Sequence, residues 1–150
     1  MGPIVCAIRG GPYSWAALDH AIEMARQSDR RLAFLHVVEE SLVGLHAGVR
    51  SEAVLHELRD LGEFMVAMAQ ERAAAAGVEA DCAVRVGDVP DEIIKYVREC
   101  NADILVLGNS RHGLLSHLLH GDRLDEFVRR VERETSAQVV IAPPPVSDAE

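Results

Sequence analysis

Ala102-Asp103-Ile104-Leu105-Val106-Leu107-Gly108 is the stretch on which the fold turns. Its apolar run has strand length and ends on a glycine. A loop follows, Asn109-Ser110-Arg111-His112-Gly113, and later His120-Gly121-Asp122. Glycines placed straight after a buried strand let backbone approach an anionic ligand closely. The counterpart near the start is Pro3-Ile4-Val5-Cys6-Ala7-Ile8, which breaks on Arg9-Gly10-Gly11. Continuous apolar runs of this kind belong to strands covered on both faces. Both are therefore expected at the centre of a sheet, with a pocket where they end.

Outward from these runs the pattern alternates between strand and helix. Ser14 reads as the N-cap of a helix that carries Trp15, Leu18, Ile22 and Ala25 at helical spacing. Asp29 and Arg30 close that helix, and Leu32 to Val38 forms the second strand. Residues 39–50, with Gly44 and Gly48, show no period and read as a loop. A long helix is expected from Glu52 to Gly77. Its buried stripe is Leu55, Leu58, Leu61, Met65 and Met68, and Gly77 is its C-terminal cap. Residues 78–86 alternate apolar with charged or small side chains, as a strand near a sheet edge does. Gly87-Asp88-Val89-Pro90 turns into a helix with Asp91 and Glu92 in its first turn and Ile93, Ile94 and Val97 on its buried face. A last amphipathic helix runs from Arg123 to Glu134, and Gln138 to Ala142 is the last strand. Pro143-Pro144-Pro145 forbids further ladder or helix, so residues 143–150 are expected to form a loose tail. Strict alternation argues a parallel sheet with helices on both faces, in one domain over residues 1–150.

The 150 residues are 49% hydrophobic and carry 15 basic against 24 acidic side chains, a formal charge of −9. That is enough chain for a real core. The charge repels nucleic-acid backbones and anionic membranes, and no basic patch offsets it, so neither is expected as a partner. Charges interrupt every apolar run well before bilayer length and no signal peptide opens the chain, so a soluble, cytoplasmic protein is expected. Cys6, Cys82 and Cys100 are odd in number and lack metal-ligand spacing, as buried thiols of a reducing compartment do. His112, His117 and His120 lack a completing ligand, and no metal site is expected.

Taken together, these residues resemble the universal stress protein family over nearly the whole chain. Ile4 to Gly10, with Ser14, Ala17, Leu18 and Ala21, is similar to the family's opening strand, turn and helix. Leu35-His36-Val37-Val38-Glu39 is similar to its second strand. The most specific likeness is Gly87-Asp88-Val89-Pro90-Asp91-Glu92-Ile93-Ile94 followed by Asn101 to Gly108, a GD-turn helix and an ADxxVxG strand. The resemblance implies a flavodoxin-like three-layer α/β/α fold with a five-stranded parallel sheet in the order 3-2-1-4-5. It also implies a homodimer, for which the last strand, Gln138, Val139, Val140 and Ile141, offers a natural pairing edge.

The same resemblance implies an adenine-nucleotide site for ATP or AMP. The family's binders carry G-x2-G-x9-G-[ST] after the fourth strand. Gly108 matches the first glycine and Gly121 the third, whereas Arg111 and Asp122 occupy the second glycine and Ser/Thr positions. The binders hold adenine near an aspartate that ends the first strand, where this chain has Arg9. Candidate nucleotide or anion contacts are thus Ile8, Arg9, Gly10, Val38, Gly108, Asn109, Arg111, His112, Gly121 and Asp122.

The departures bear on the ligand. Guanidinium is a good phosphate partner, and Arg9 with Arg111 forms a candidate small-anion site. Asp122, beside Asp125 and Glu126, instead puts negative charge where a triphosphate would lie. Two unit charges about 4 Å apart cost about 4 kcal/mol at an effective dielectric of about 20. The same acids also suit the first turn of the last helix. Two functions stay open: a non-enzymatic stress-response binding module with an altered nucleotide site, and an ATP- or AMP-dependent switch. A nucleotidyltransferase is not expected, because its H-x-G-H element is missing from the first strand–helix junction, and His46-Ala47-Gly48-Val49 lacks the second histidine.

Overall fold

Five strands, β1 (Ile4–Ala7), β2 (Leu32–Glu39), β3 (Ala80–Gly87), β4 (Ile104–Leu107) and β5 (Gln138–Ile141), alternate with four long helices among the described residues. The helices are α1 (Pro12–Ser28), α2 (Ser51–Ala75), α3 (Val89–Cys100) and α4 (Gly121–Glu134). The computed structural model describes residues 1–41, 51–109 and 121–145. The strands form one parallel sheet in the order β3-β2-β1-β4-β5, the flavodoxin-like order that the family resemblance implies. Ile4 pairs with Leu32 on one side and Ile104 on the other, so the two sequence runs that opened the reading lie side by side.

Alternation along β1 explains the three layers. Ile4, Cys6 and Ile8 point to the face covered by α1 and α2, where they meet Leu18, Ile22, Val66 and Ala69. Val5 points to the opposite face, with Leu35, Ile93, Val97, Phe127 and Val131 from β2, α3 and α4. A strand sandwiched in this way buries side chains on both faces, which is why β1 and β4 read as unbroken apolar runs.

Local chemistry sets the element ends. Asp29 and Asn101 both adopt the left-handed conformation at the C-caps of α1 and α3. Short polar side chains tolerate that conformation better than most. Gly77, with φ of 79°, ends the turn after α2. Asp88 caps α3, its carboxylate accepting from the Asp91 N–H at 3.2 Å, and Pro90 sits in the first turn where its missing N–H costs nothing.

Two expectations are corrected. Ser14 is not the cap of α1: the helix begins at Pro12, Gly11 holds the cap position, and the Ser14 hydroxyl accepts from the Arg9 N–H at 2.7 Å. The buried line of α2 is also displaced. Val66, Ala69 and Ala73 are buried against the sheet, with Gly62 on the same line, whereas Leu61 and Met68 are 53% and 39% exposed. Close approach is the reason. A Cβ on Gly62 would lie 2.6 Å from Cδ2 of His36, so small residues occupy the contact and the larger ones are turned outward. Residues 143–145 carry no helix or strand, and the remainder of the expected tail lies outside the described residues.

Candidate functional site

The segments leaving β1 and β4 build the mouth of the sheet. Cys6 and Val106 are the last registered pair between them, and the chain then continues extended. The Ile8 N–H donates to the Leu35 carbonyl, and the Ala142 N–H to the Leu107 carbonyl, each at 2.8 Å. Winding runs outward from β1 to β3 and then resumes on the other side at β4. Parallel sheets hold their ligands at such a reversal, beyond the carboxyl ends of the strands.

Gly10 and Gly11 have φ of 97° and 90°, values that side chains with a Cβ rarely adopt. They turn the chain sharply from β1 into α1, whose first amides have no side-chain cap. An uncapped helix N-terminus carries partial positive potential. Gly108 faces this turn, and a Cβ there would lie 2.8 Å from the Tyr13 carbonyl oxygen. The exit of β4 and the first turn of α1 therefore touch backbone to backbone. Gly10, Gly108 and the start of α1 are brought to one place.

Arg9 supplies the charge. It is half-buried, and burial lowers its pKa to about 10 while the charge of Glu39 pulls the other way. Glu39 ends β2. Burial raises its carboxyl above the usual carboxylate range and the charge of Asp88 adds to this, while Arg9 and the Val89 N–H hold it down. His36, also on β2, donates from Nδ1 to the Ile8 carbonyl at 2.9 Å. Its pKa is lowered, first by burial and then by the charge of Arg9, with the bond to Ile8 opposing. Glu39 is thus acted on by one cation, Arg9, and by a second carboxylate, Asp88, beyond the ends of β1, β2 and β3.

Of the sequence candidates, Ile8 and Val38 are buried at 4% exposure each, and Gly10, Gly108 and Asn109 follow β1 and β4 at the mouth. Gly121 opens α4 and Asp122 lies in its first turn. Arg111, His112, His117 and His120 lie outside the described residues, and with them the Arg9–Arg111 anion site. Among the described residues no group of three or more His, Cys, Asp or Glu side chains is placed to hold a metal ion. The gap bounded by Ile8, Gly10, Ser14, Trp15 and Met65 is about 170 Å³ and has no room for a water molecule. A larger hollow of about 740 Å³ lies instead between α2 and β3, against Arg59, Glu63 and Cys82, away from the mouth.

Glu39 and Asp88 were not among the sequence candidates. The signal for them was positional: one ends a parallel strand and the other follows one, so both fall at the edge that Arg9 occupies.

Comparison with known proteins agrees with this architecture. The chain is 26% identical over 126 residues to the universal stress protein YxiE of Bacillus subtilis (strain 168), spanning 79% of this chain and 85% of that one. The solved structure of the hypothetical protein MJ0577 superposes with a TM-score of 0.77 at 16% identity, covering 98% of this chain and 99% of that one. A universal stress protein crystallised in complex with cAMP superposes with a TM-score of 0.66 at 20% identity, covering 95% and 97%. The pattern of the universal stress protein family itself matches residues 1–136, from before β1 to beyond α4. With the family's match spanning all but the last strand and tail, and its sheet order present, the chain belongs to the universal stress protein family.

Proposed function

We propose that the protein works by binding and not by turnover, as a stress-response regulatory module whose carboxyl-edge site is altered away from ATP. Arg9 carries this reading. By the resemblance, the binders place an aspartate where this chain has Arg9. The amino group of adenine donates a hydrogen bond, which a carboxylate accepts. A guanidinium has donors only. With Glu39 close enough to act on it, Arg9 is the counter-charge of the mouth and offers donors where the binders offer the carboxylate that accepts from that amino group. Asp122 in the first turn of α4 opposes a triphosphate by charge.

The test is thermal unfolding with ATP, AMP, magnesium and inorganic phosphate in separate arms. A ligand at a hundredfold its dissociation constant stabilises by about 2.7 kcal/mol. The expected outcome is no shift with ATP and magnesium; a rise with phosphate alone supports a small-anion site. A second reading, an adenine-nucleotide switch, draws on the cAMP complex of a structural relative and on the backbone contact of Gly108 with α1. A rise with ATP or AMP in the unmodified protein would establish it instead.

The proposal includes a cytoplasmic homodimer paired through β5, whose Gln138 and Ile141 are exposed at the sheet edge. Among the described residues no helix is long and apolar enough to cross a membrane.

A further inference from the structure

The two edges of the sheet differ. β3 is eight residues long and pairs with β2 residue for residue from Ala80 to Gly87, with no bulge and no proline. β5 has four residues and is followed closely by Pro143. Proteins ordinarily shorten, bulge or block a long edge, because its outward amides and carbonyls invite another strand. The Leu32 N–H donates to the Glu79 carbonyl at 3.1 Å, so the odd-numbered residues of β3 turn their peptide groups to β2. Cys82, Val84 and Val86 turn theirs outward, where no strand covers them. Ala80 does the same, and its carbonyl accepts from Nε2 of Gln70 at 2.8 Å. The hollow between α2 and β3 borders Cys82, Ala83 and Val84, so helix side chains leave that stretch of edge open.

We infer that this edge binds the same edge of a second copy, antiparallel about a two-fold axis at Ala83. In that register Cys82 faces Val84 of the other copy and Ala80 faces Val86. Each outward-turned residue therefore meets another, as a hydrogen-bonded pair requires, over the whole of residues 80–86. The side chains fit the same register. Asp81, Ala83 and Arg85 stand on the face that α3 covers. The axis sets Asp81 opposite Arg85 twice, with the small Ala83 meeting itself between the two pairs. Both charges have capacity left for this. Arg31 donates to Oδ1 of Asp81 at 2.9 Å, a bond that does not use Oδ2. Arg85 holds Glu99 through its two terminal nitrogens, at 2.7 and 3.4 Å, and Nε is a donor those bonds do not use. Across the axis the signs then alternate, from Glu99 and Arg85 to Asp81 and Arg31 of the other copy.

The size is sufficient. Eight strand residues run about 26 Å. The sheet with one helix layer on each side is about 30 Å thick. The face offered is therefore about 800 Å², which is what each partner of a stable interface buries. β5 lies at the opposite edge, so pairing there does not compete. The inference stands apart from what the mouth binds.

Charge reversal tests it, read by sedimentation velocity over a micromolar concentration series. Asp81→Arg alone sets arginine against Arg85 of the other copy twice, and Arg85→Asp alone sets aspartate against Asp81 twice. Each is expected to weaken association roughly tenfold or more. Mixing the two variant chains restores opposite charges at both pairs, so assembly should return in the mixture. That return cannot come from β5, which neither variant touches, or from a fold damaged in either chain. Register is read separately. The axis brings the two copies of residue 83 to about 4.5 Å between Cα atoms, within disulfide reach. With oxidant, Ala83→Cys should therefore cross-link to itself far more than the parent chain does. Smaller assemblies in each single variant, recovery in the mixture and that cross-link support the pairing. An unmodified chain that stays monomeric overturns it. So does an assembly that both reversals leave unchanged, a mixture no larger than its separate chains, or cross-linking no greater than in the parent.

Discussion

His36 and Gly62 are a matched pair, and each constrains the other. The imidazole is held by its bond to the Ile8 carbonyl, and α2 can reach the sheet over it only because residue 62 has no side chain. Alanine at 62 gains about 1 kcal/mol in helix propensity. Its Cβ, however, meets a ring that is tied down, and overpacking of that kind costs about 1–3 kcal/mol. Gly62→Ala is therefore expected to be net destabilising by about 1 kcal/mol in urea unfolding. The same ring gives a pH dependence. Because its folded pKa is below the ordinary 6.5, the folded protein binds fewer protons there than the unfolded chain. The stability it contributes is fully present above pH 6.5 and is lost as pH falls through the lowered value. The thermal midpoint is expected to drop on acidification below pH 6.5, and His36→Asn, whose amide nitrogen takes the place of Nδ1 as donor to Ile8, to flatten that part of the profile. The place of His36 in the second strand was legible; its glycine neighbour was not, since the two stand twenty-six positions apart in the chain and only packing joins them.

At the scale of elements, α3 shows two effects that can be separated. Asp88 caps the helix and also raises the pKa of Glu39 by its charge. Replacing it with alanine removes the cap, at a cost of about 1 kcal/mol, offset in part by relief of the repulsion. Asp88→Asn keeps the cap and removes the charge. Asparagine is therefore expected to be at least as stable as the parent near neutral pH and alanine less so, measured by chemical denaturation of the three proteins side by side. The cap was readable because Gly87-Asp88-Val89-Pro90 places a side-chain acceptor before a proline. The buried line of α2 is not marked by apolar size, which points instead to Leu61 and Met68. Where a helix lies close to a sheet, small side chains mark the contact and large ones are expelled from it.

At the scale of the molecule, the amino end of the sheet is tied by Arg30, opposite the mouth. Its guanidinium, 10% exposed, donates to the Gly2 carbonyl at 2.8 Å and forms an ion pair with Asp103 at the entry to β4. One side chain thereby joins the N-terminus, the turn after α1 and the central strand. Arg30→Ala leaves a buried carboxylate oxygen of Asp103 without its cation, and a loss of roughly 2 kcal/mol is expected in thermal or urea unfolding. The alternation of strand and helix, the central place of β1 and β4 and the parallel sheet were all determined by the sequence itself. Periodicity and burial on both faces are local properties that a run of residues displays in its own composition. Tertiary structure alone decided which charges meet. Arg9 after β1 and Asp88 after β3 both act on Glu39 at the end of β2 because parallel strands end at one edge, and spacing along the chain carries no record of that proximity. It also decided which side of α2 is left facing outward, because the depth at which a helix settles on a sheet depends on both surfaces at once.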